Sequence, residues 1–135
     1  MNVVRSKRKR AIARAHIREG NGKIRVNSFL LENYFTNEIL REYVKEPLLL
    51  AEEFLNLNKI NIYVNVKGGG ISGQADAVRT AIAKAFYAYT NNDLLKKKFI
   101  DYDRVLLVDD VRRTEPHKPS QSSKGPRHKK QKSYR

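Results

Sequence analysis

The chain has 135 residues, 28 Lys or Arg against 14 Asp or Glu, a formal net charge of +14 and no cysteine. That length allows one domain, and the lack of Cys excludes disulfides, thiolate metal sites and thiol chemistry. No stretch approaches the roughly 18 apolar residues of a membrane span, and the cations from Arg5 to Arg10 have no apolar run behind them, so neither a span nor a secretory leader is expected. A pI near 10.1 favours nucleic acid over anionic membrane, since no basic amphipathic helix is present.

The charge is distributed unevenly. The first 25 residues hold nine Lys or Arg against Glu19, and residues 112–135 hold nine against Glu115, so each end is +8 while 26–111 is −2. The expected organisation is a basic N-terminal arm over 1–10, a globular α/β RNA-binding domain over 11–111 and an extended basic tail over 112–135.

The arm carries Lys7, Arg8, Lys9 and Arg10. From Ala11 the pattern alternates: Ala11, Ala13, Ala15 and Ile17 share one face, and Arg14, His16 and Arg18 the other. A turn at Glu19–Gly22 and the alternating return Lys23–Val26 predict a β-hairpin, with Ile17, Ile24 and Val26 inward and Arg14, Arg18, Lys23 and Arg25 outward. Such cations also suit a solvated edge that discourages sheet-to-sheet pairing. Four of them on one face beside a cationic arm favour RNA contact.

Residues 28–55 are helical in period. Asn37 is placed to cap a helix through Ile39, Leu40, Tyr43 and Val44, with Pro47 ending it and a second helix running from Leu48 to Leu55. Lys59–Lys67 alternates strictly, with Ile60, Ile62, Val64 and Val66 on one side and Asn61, Tyr63 and Asn65 on the other, which predicts a half-buried strand. After Gly68-Gly69-Gly70 a long helix is expected. Ala75, Val78, Ala81, Ile82, Ala85, Phe86 and Tyr89 keep one face of it, Ser72 is the N-cap and Asn91-Asn92 the end. A short basic helix, Asp93–Ile100, and a last strand, Arg104–Val108, complete the order. The fold class is α+β: a two-layer α/β sandwich of a four-stranded sheet with helices on one face.

Strand, glycine turn and helix start is an arrangement that aims backbone N–H groups at an anion, and an RNA phosphate fits this basic chain better than a nucleotide does. The same glycines also serve a bare change of direction. GGGxxGQ matches neither the Walker pattern nor the dinucleotide fingerprint. His16 is far from His117 and His128 in sequence. Asp101, Asp103, Asp109 and Asp110 surround the last strand as strand-end acids or partners of Arg112 and Arg113 rather than metal ligands. No nucleophile, base and oxyanion donors converge. The chain is expected not to be an enzyme and to need no cofactor, metal or small-molecule substrate.

Composition predicts a tail without secondary structure, stiffened by Pro116, Pro119 and Pro126. Extended at about 3.1 Å per residue, it reaches some 75 Å. Lys118, Lys124, Arg127, Lys129 and Lys130 recur along it and are suited to phosphates that no globular surface reaches.

The stretch Lys67 to Phe86, KGGGISGQADAVRTAIAKAF, resembles the signature of the small-subunit ribosomal protein nine family, with Lys84 inside it. SKRKRAIARA resembles that family's opening motif through Arg8, Lys9, Ala11, Ala13 and Arg14, although Ser6 stands where the family usually has Gly. The ending from Arg112 through Gln131-Lys132-Ser133-Tyr134-Arg135 resembles the archaeal and eukaryotic branch, with the archaeal side favoured by the short N-terminus. The resemblance spans nearly the whole chain. It implies a left-handed βαβ crossover and a place in the head of the cytoplasmic small ribosomal subunit, among neighbouring head proteins on small-subunit ribosomal RNA. It further implies that the tail runs to the anticodon stem-loop of peptidyl-site transfer RNA, with Arg135, Tyr134 and Lys132 nearest to it. A small-molecule kinase shares this fold and a glycine turn, but the chain lacks that group's serine pair and its length.

Overall fold

In a computed structural model, which describes residues 3–113, the period-two runs are strands of one mixed sheet. They are β1 (Val4–Arg8), β2 (Ala11–Glu19), β3 (Ile24–Val26), β4 (Phe29–Leu30) and β5 (Ile60–Lys67), in the order β1-β2-β5-β3-β4. Every pairing is antiparallel except β3 with β5. Helices α1 (Leu31–Tyr34), α2 (Glu38–Ala51), α3 (Ile71–Thr90) and α4 (Asp93–Tyr102) form the second layer.

The expected faces hold: Ala11, Ala13, Ala15, Ile62, Val64 and Val66 are buried, while Arg14, Arg18 and Asn65 are exposed. The expected pairing does not. β2 and β3 form no hairpin, because β5 lies between them with its full length on β2 and its centre on β3. The 19–23 turn therefore crosses one strand, roughly 10 Å. The start of β5 holds it there: Gly20 N donates to Lys59 O at 2.9 Å, Ile62 N to Lys23 O at 3.0 Å, and the Asn61 Oδ1 accepts from Asn21 N and Lys23 N at 2.9 and 3.0 Å.

The sheet has five strands rather than four. Residues 4–8, expected as an arm, form the edge strand β1 paired along β2. β4 was hidden inside a helical period, and follows a two-residue turn with positive φ at both Asn27 and Ser28. The expected strand at Arg104–Val108 is instead a 3-10 turn, Arg104–Leu106, capped by Asp103 Oδ1 on Val105 N at 3.0 Å. Leu106 is fully buried there, so the apolar run reports burial and not extension.

Asn37 caps α2 through Ile39 N at 2.9 Å, as expected. Pro47 does not end that helix but lies within it. It costs one backbone hydrogen bond, yet its ring is buried alongside Val44, Leu48 and Ala51, which offsets that loss. In α3 the N-cap is Gly70 and not Ser72, with no side-chain cap bond, and Asn91 closes the helix at φ 50°.

Alanines carry the layer contact: Ala11, Ala13 and Ala15 on β2, and Ala75, Ala77, Ala81 and Ala85 on α3, are all buried. Within the helical layer, Arg79 is 2% exposed. Its Nε and a terminal nitrogen donate to Glu46 Oε2 at 3.0 and 2.6 Å, the latter also reaching Asp103 Oδ2 at 3.3 Å, and the guanidinium lies 4.4 Å from the Tyr43 ring centre. Burial pulls against the charge on Arg79, but Glu46, Tyr43 and Asp103 outweigh it and raise the pKa. Burial, helped by the Asp76 carboxylate, pushes the Tyr43 hydroxyl up to about 12.

Two outcomes follow for urea denaturation. Arg79→Leu costs about 3 kcal/mol, because it removes the cation that three elements share. Gly68→Ala costs over about 1 kcal/mol, since φ is +83° and the added Cβ would sit 2.5 Å from Arg10 O; Gly70→Ala, with open space around it, costs less than about 1 kcal/mol.

Candidate nucleic-acid interface

The sheet face turned away from the helices carries the outward positions of each strand. Across it, Arg5 faces Arg14, Arg14 faces Asn65, Lys7 faces Ile12, Ile12 faces Lys67, and His16 faces Tyr63, which faces Arg25. None of the twelve acids in 26–111 lies on a strand. They sit in the helices and their connections, so a segment of net charge −2 is sharply polarised. Arg5 opposite Arg14 is a like-charge pair that costs stability on its own, and among the described residues neither has an acidic partner. A polyanion laid on this face relieves that repulsion.

Arg14, Arg18 and Lys23 are exposed, and Arg25 and Lys7 are half-buried. Lys9 and Arg10 form the exposed tip between β1 and β2, with Lys9 at φ 54°. That tip packs against the glycine turn. A Cβ on Gly69 would lie 3.0 Å from Ala11 N, so Gly68 and Gly69 have a close-packing reason in this structure. Gly68, Gly69 and Gly70 are exposed beside that tip.

Gln74 explains its place next to Gly73. Its Nε2 donates to Gly68 O at 3.1 Å and its Oε1 accepts from the Tyr34 hydroxyl at 2.6 Å, tying the turn to α1. The Asn27 amide pairs with Val66 N and O at 2.8 and 2.7 Å, extending the sheet by a side chain.

Other expected contacts are engaged within the protein. Arg8 is on the helix side of β1, 15% exposed, with Nε 3.3 Å from Asp76 Oδ2 and NH1 on Arg112 O at 3.3 Å. Lys84 Nζ donates to Arg5 O at 3.0 Å and Asp109 Oδ1 at 2.7 Å. Ser6, fully buried, donates to the same carboxylate oxygen at 3.3 Å. Arg112 grips both oxygens of Asp110, which holds that carboxyl well below the usual range, and Arg113 donates to Asp110 O. These contacts fasten residues 109–112 onto β1. Lys118, Lys124, Arg127, Lys129, Lys130, Lys132, Tyr134 and Arg135 lie outside the described residues.

The face also holds residues that a search for cations passes over. The His16 and Tyr63 rings stack at 5.2 Å between centres and 22° between planes, with the Arg18 guanidinium 5.9 Å from the Tyr63 ring. Arg5 and Lys67 complete the basic rows. For Tyr63 and Lys67 the signal was the polar half of the alternation through Asn61, Tyr63 and Asn65. Among the described residues no group of His, Cys, Asp or Glu is arranged to hold a metal ion.

Over residues 6–135 the sequence matches the family described as ribosomal protein S9/S16. The chain belongs to that family. It is a family of structural ribosomal proteins and not of enzymes. The chain is 53% identical to the small ribosomal subunit protein uS9 of Methanococcus maripaludis (strain C7) and 52% identical to that of Methanococcus vannielii, covering 100% of both partners in each comparison. Both relatives are archaeal, in keeping with the branch expected from the tail.

Partial burial and then the nearby Arg18 charge lower the His16 pKa from 6.5, so the ring is neutral at pH 7. Its contribution to stability is full above pH 6.5 and declines as pH falls through the lower folded midpoint. Proton NMR titration should place the His16 midpoint below 6.5, and Arg18→Ala should move it upward.

Proposed function

We propose that this protein is a structural constituent of the small ribosomal subunit in the cytoplasm, bound to small-subunit ribosomal RNA in the head. The acid-free basic face of the sheet carries this reading. Arg14, Arg18, Lys23 and Arg25, with Lys7, Lys9 and Arg10 at the β1–β2 end, supply phosphate contacts that position without reading sequence. The exposed glycine turn, Gly68 to Gly70, lies beside the same end, and Lys84 and Arg8 support the surface from behind. Among the described residues no helix is long and apolar enough to cross a membrane.

The tail extends this reading. Arg112 and Arg113 lead into Lys118, Lys124, Arg127, Lys129 and Lys130, which neutralise ribosomal RNA phosphates. Lys132, Tyr134 and Arg135 reach the anticodon stem-loop of peptidyl-site transfer RNA, where Arg135 is the terminal cation. We infer too that the crossover joining β3 to its parallel neighbour β5 is left-handed, the sense that the family resemblance implies.

Gradient sedimentation of a native lysate tests the assignment. One copy per small subunit, retained at roughly half-molar salt, is expected. Recovery at the top of the gradient would mark a loose RNA binder, whose affinity for single-stranded RNA falls with a log–log salt slope of about 4 to 6 for six to nine phosphates. Deleting residues 132–135 should leave assembly intact and weaken peptidyl-site transfer RNA binding; equal binding by truncated and full-length subunits would remove the tail from the mechanism.

A further inference from the structure

The outer sheet face is not uniformly a cationic surface. At its centre, an open pocket of about 420 Å³ is lined by His16, Arg18, Arg25, Tyr63 and Asn65. We propose that this pocket receives one unpaired RNA nucleotide, its base stacked on the His16–Tyr63 ring pair and its phosphate held by Arg18 and Arg25. The proposal rests on the RNA-binding reading above and adds a base-contacting subsite to a surface otherwise suited to phosphates.

Three observations carry it. The first is that Tyr63 is held in place before any ligand arrives. Its hydroxyl accepts from Asn61 Nδ2 at 3.2 Å, while the Asn61 Oδ1 is fixed by the amides of Asn21 and Lys23. Gly20 makes this seat possible, since a Cβ there would collide with the Asn61 amide. A Gly-Asn turn thus orients an aromatic ring on the open face.

The second is the stack itself. The two rings lie near-parallel and border the open pocket, which suits a flat π-ligand; base–aromatic stacking is the usual way in which an open sheet captures unpaired nucleotides. The third is the charge around it. Arg18 and Arg25 flank the rings, and no outward strand position carries an acid, so the ligand must join a planar base to a negative group. An A-form duplex presents phosphates but not base faces.

The test compares two fluorescein-labelled RNA decamers with equal numbers of phosphates, one carrying bases and one abasic, binding to the full-length protein by anisotropy. The base-bearing strand is expected to bind roughly tenfold more tightly. Tyr63→Ala should abolish that advantage, Tyr63→Phe should keep it, and Arg14→Ala should weaken both strands alike. Equal affinity for the two decamers, or an undiminished preference in Tyr63→Ala, overturns the stacking site while leaving RNA binding in place. Failure of both decamers to bind overturns the RNA-binding reading and the site with it. Should Tyr63→Ala not melt cooperatively, His16→Ala carries the same comparison, and a preference unchanged by it counts against the proposal.

Discussion

The constraint on which the rest depends is the contact of α3 with β2 through alanine. Methyl groups on both sides let a 20-residue helix lie close to the sheet without interdigitating large side chains. Larger residues at these positions would hold the helix off the strands and open gaps that its neighbours could not close. Because that contact uses one face of the sheet, and the remaining helices pack beside α3, the other face stays open. The same helix begins at the glycine turn, and the turn in turn presses on the β1–β2 tip, so the packing also sets where that tip lies.

A second tie operates at right angles to the first. Arg79 draws in Glu46 from α2, the Tyr43 ring and Asp103 at the end of α4. A buried cation is costly unless its donors are satisfied, and here they meet two carboxylates that remain partly hydrated at 28% and 39% exposure. Partial hydration keeps the desolvation cost of the anions low while the guanidinium itself supplies the fixed point. Two acids are thereby held in the helical layer. The other acids of 26–111 also lie off the strands, which leaves the sheet's outer face cationic.

Two residues of the family-like signature have structural duties that account for their places in the sequence. Lys84 fastens α3 to the backbone of β1 and to Asp109, and Gln74 fixes the glycine turn to α1. Ser6 joins the same Asp109 cluster from β1. Arg8, on the helix-facing side, clasps Asp76 and the residues leading into the tail. Asp110 and Arg112 are therefore anchored to the edge strand.

The sequence by itself determined which residues face inward on β2 and β5, the run and C-terminal end of α3, and the Asn37 cap, because period, capping chemistry and turn residues act within a few positions of one another. It also determined that the ends are cationic. Only the tertiary structure decided that β5 separates β2 from β3, since a hairpin and an inserted strand share one alternation and differ only in which edge is filled. It likewise decided that Pro47 continues α2, where burial of the ring offsets a lost hydrogen bond, and that Arg104–Leu106 is a turn, because an apolar run records burial but not backbone shape. For the candidate site, the cations were legible but their division was not: Arg14 and Arg18 face outward whereas Arg8 and Lys84 are held by carboxylates some 25 to 100 residues away in sequence. The pairing of His16 with Tyr63, 47 positions apart, exists only through the β2–β5 register, and long-range register is what local chemistry leaves open.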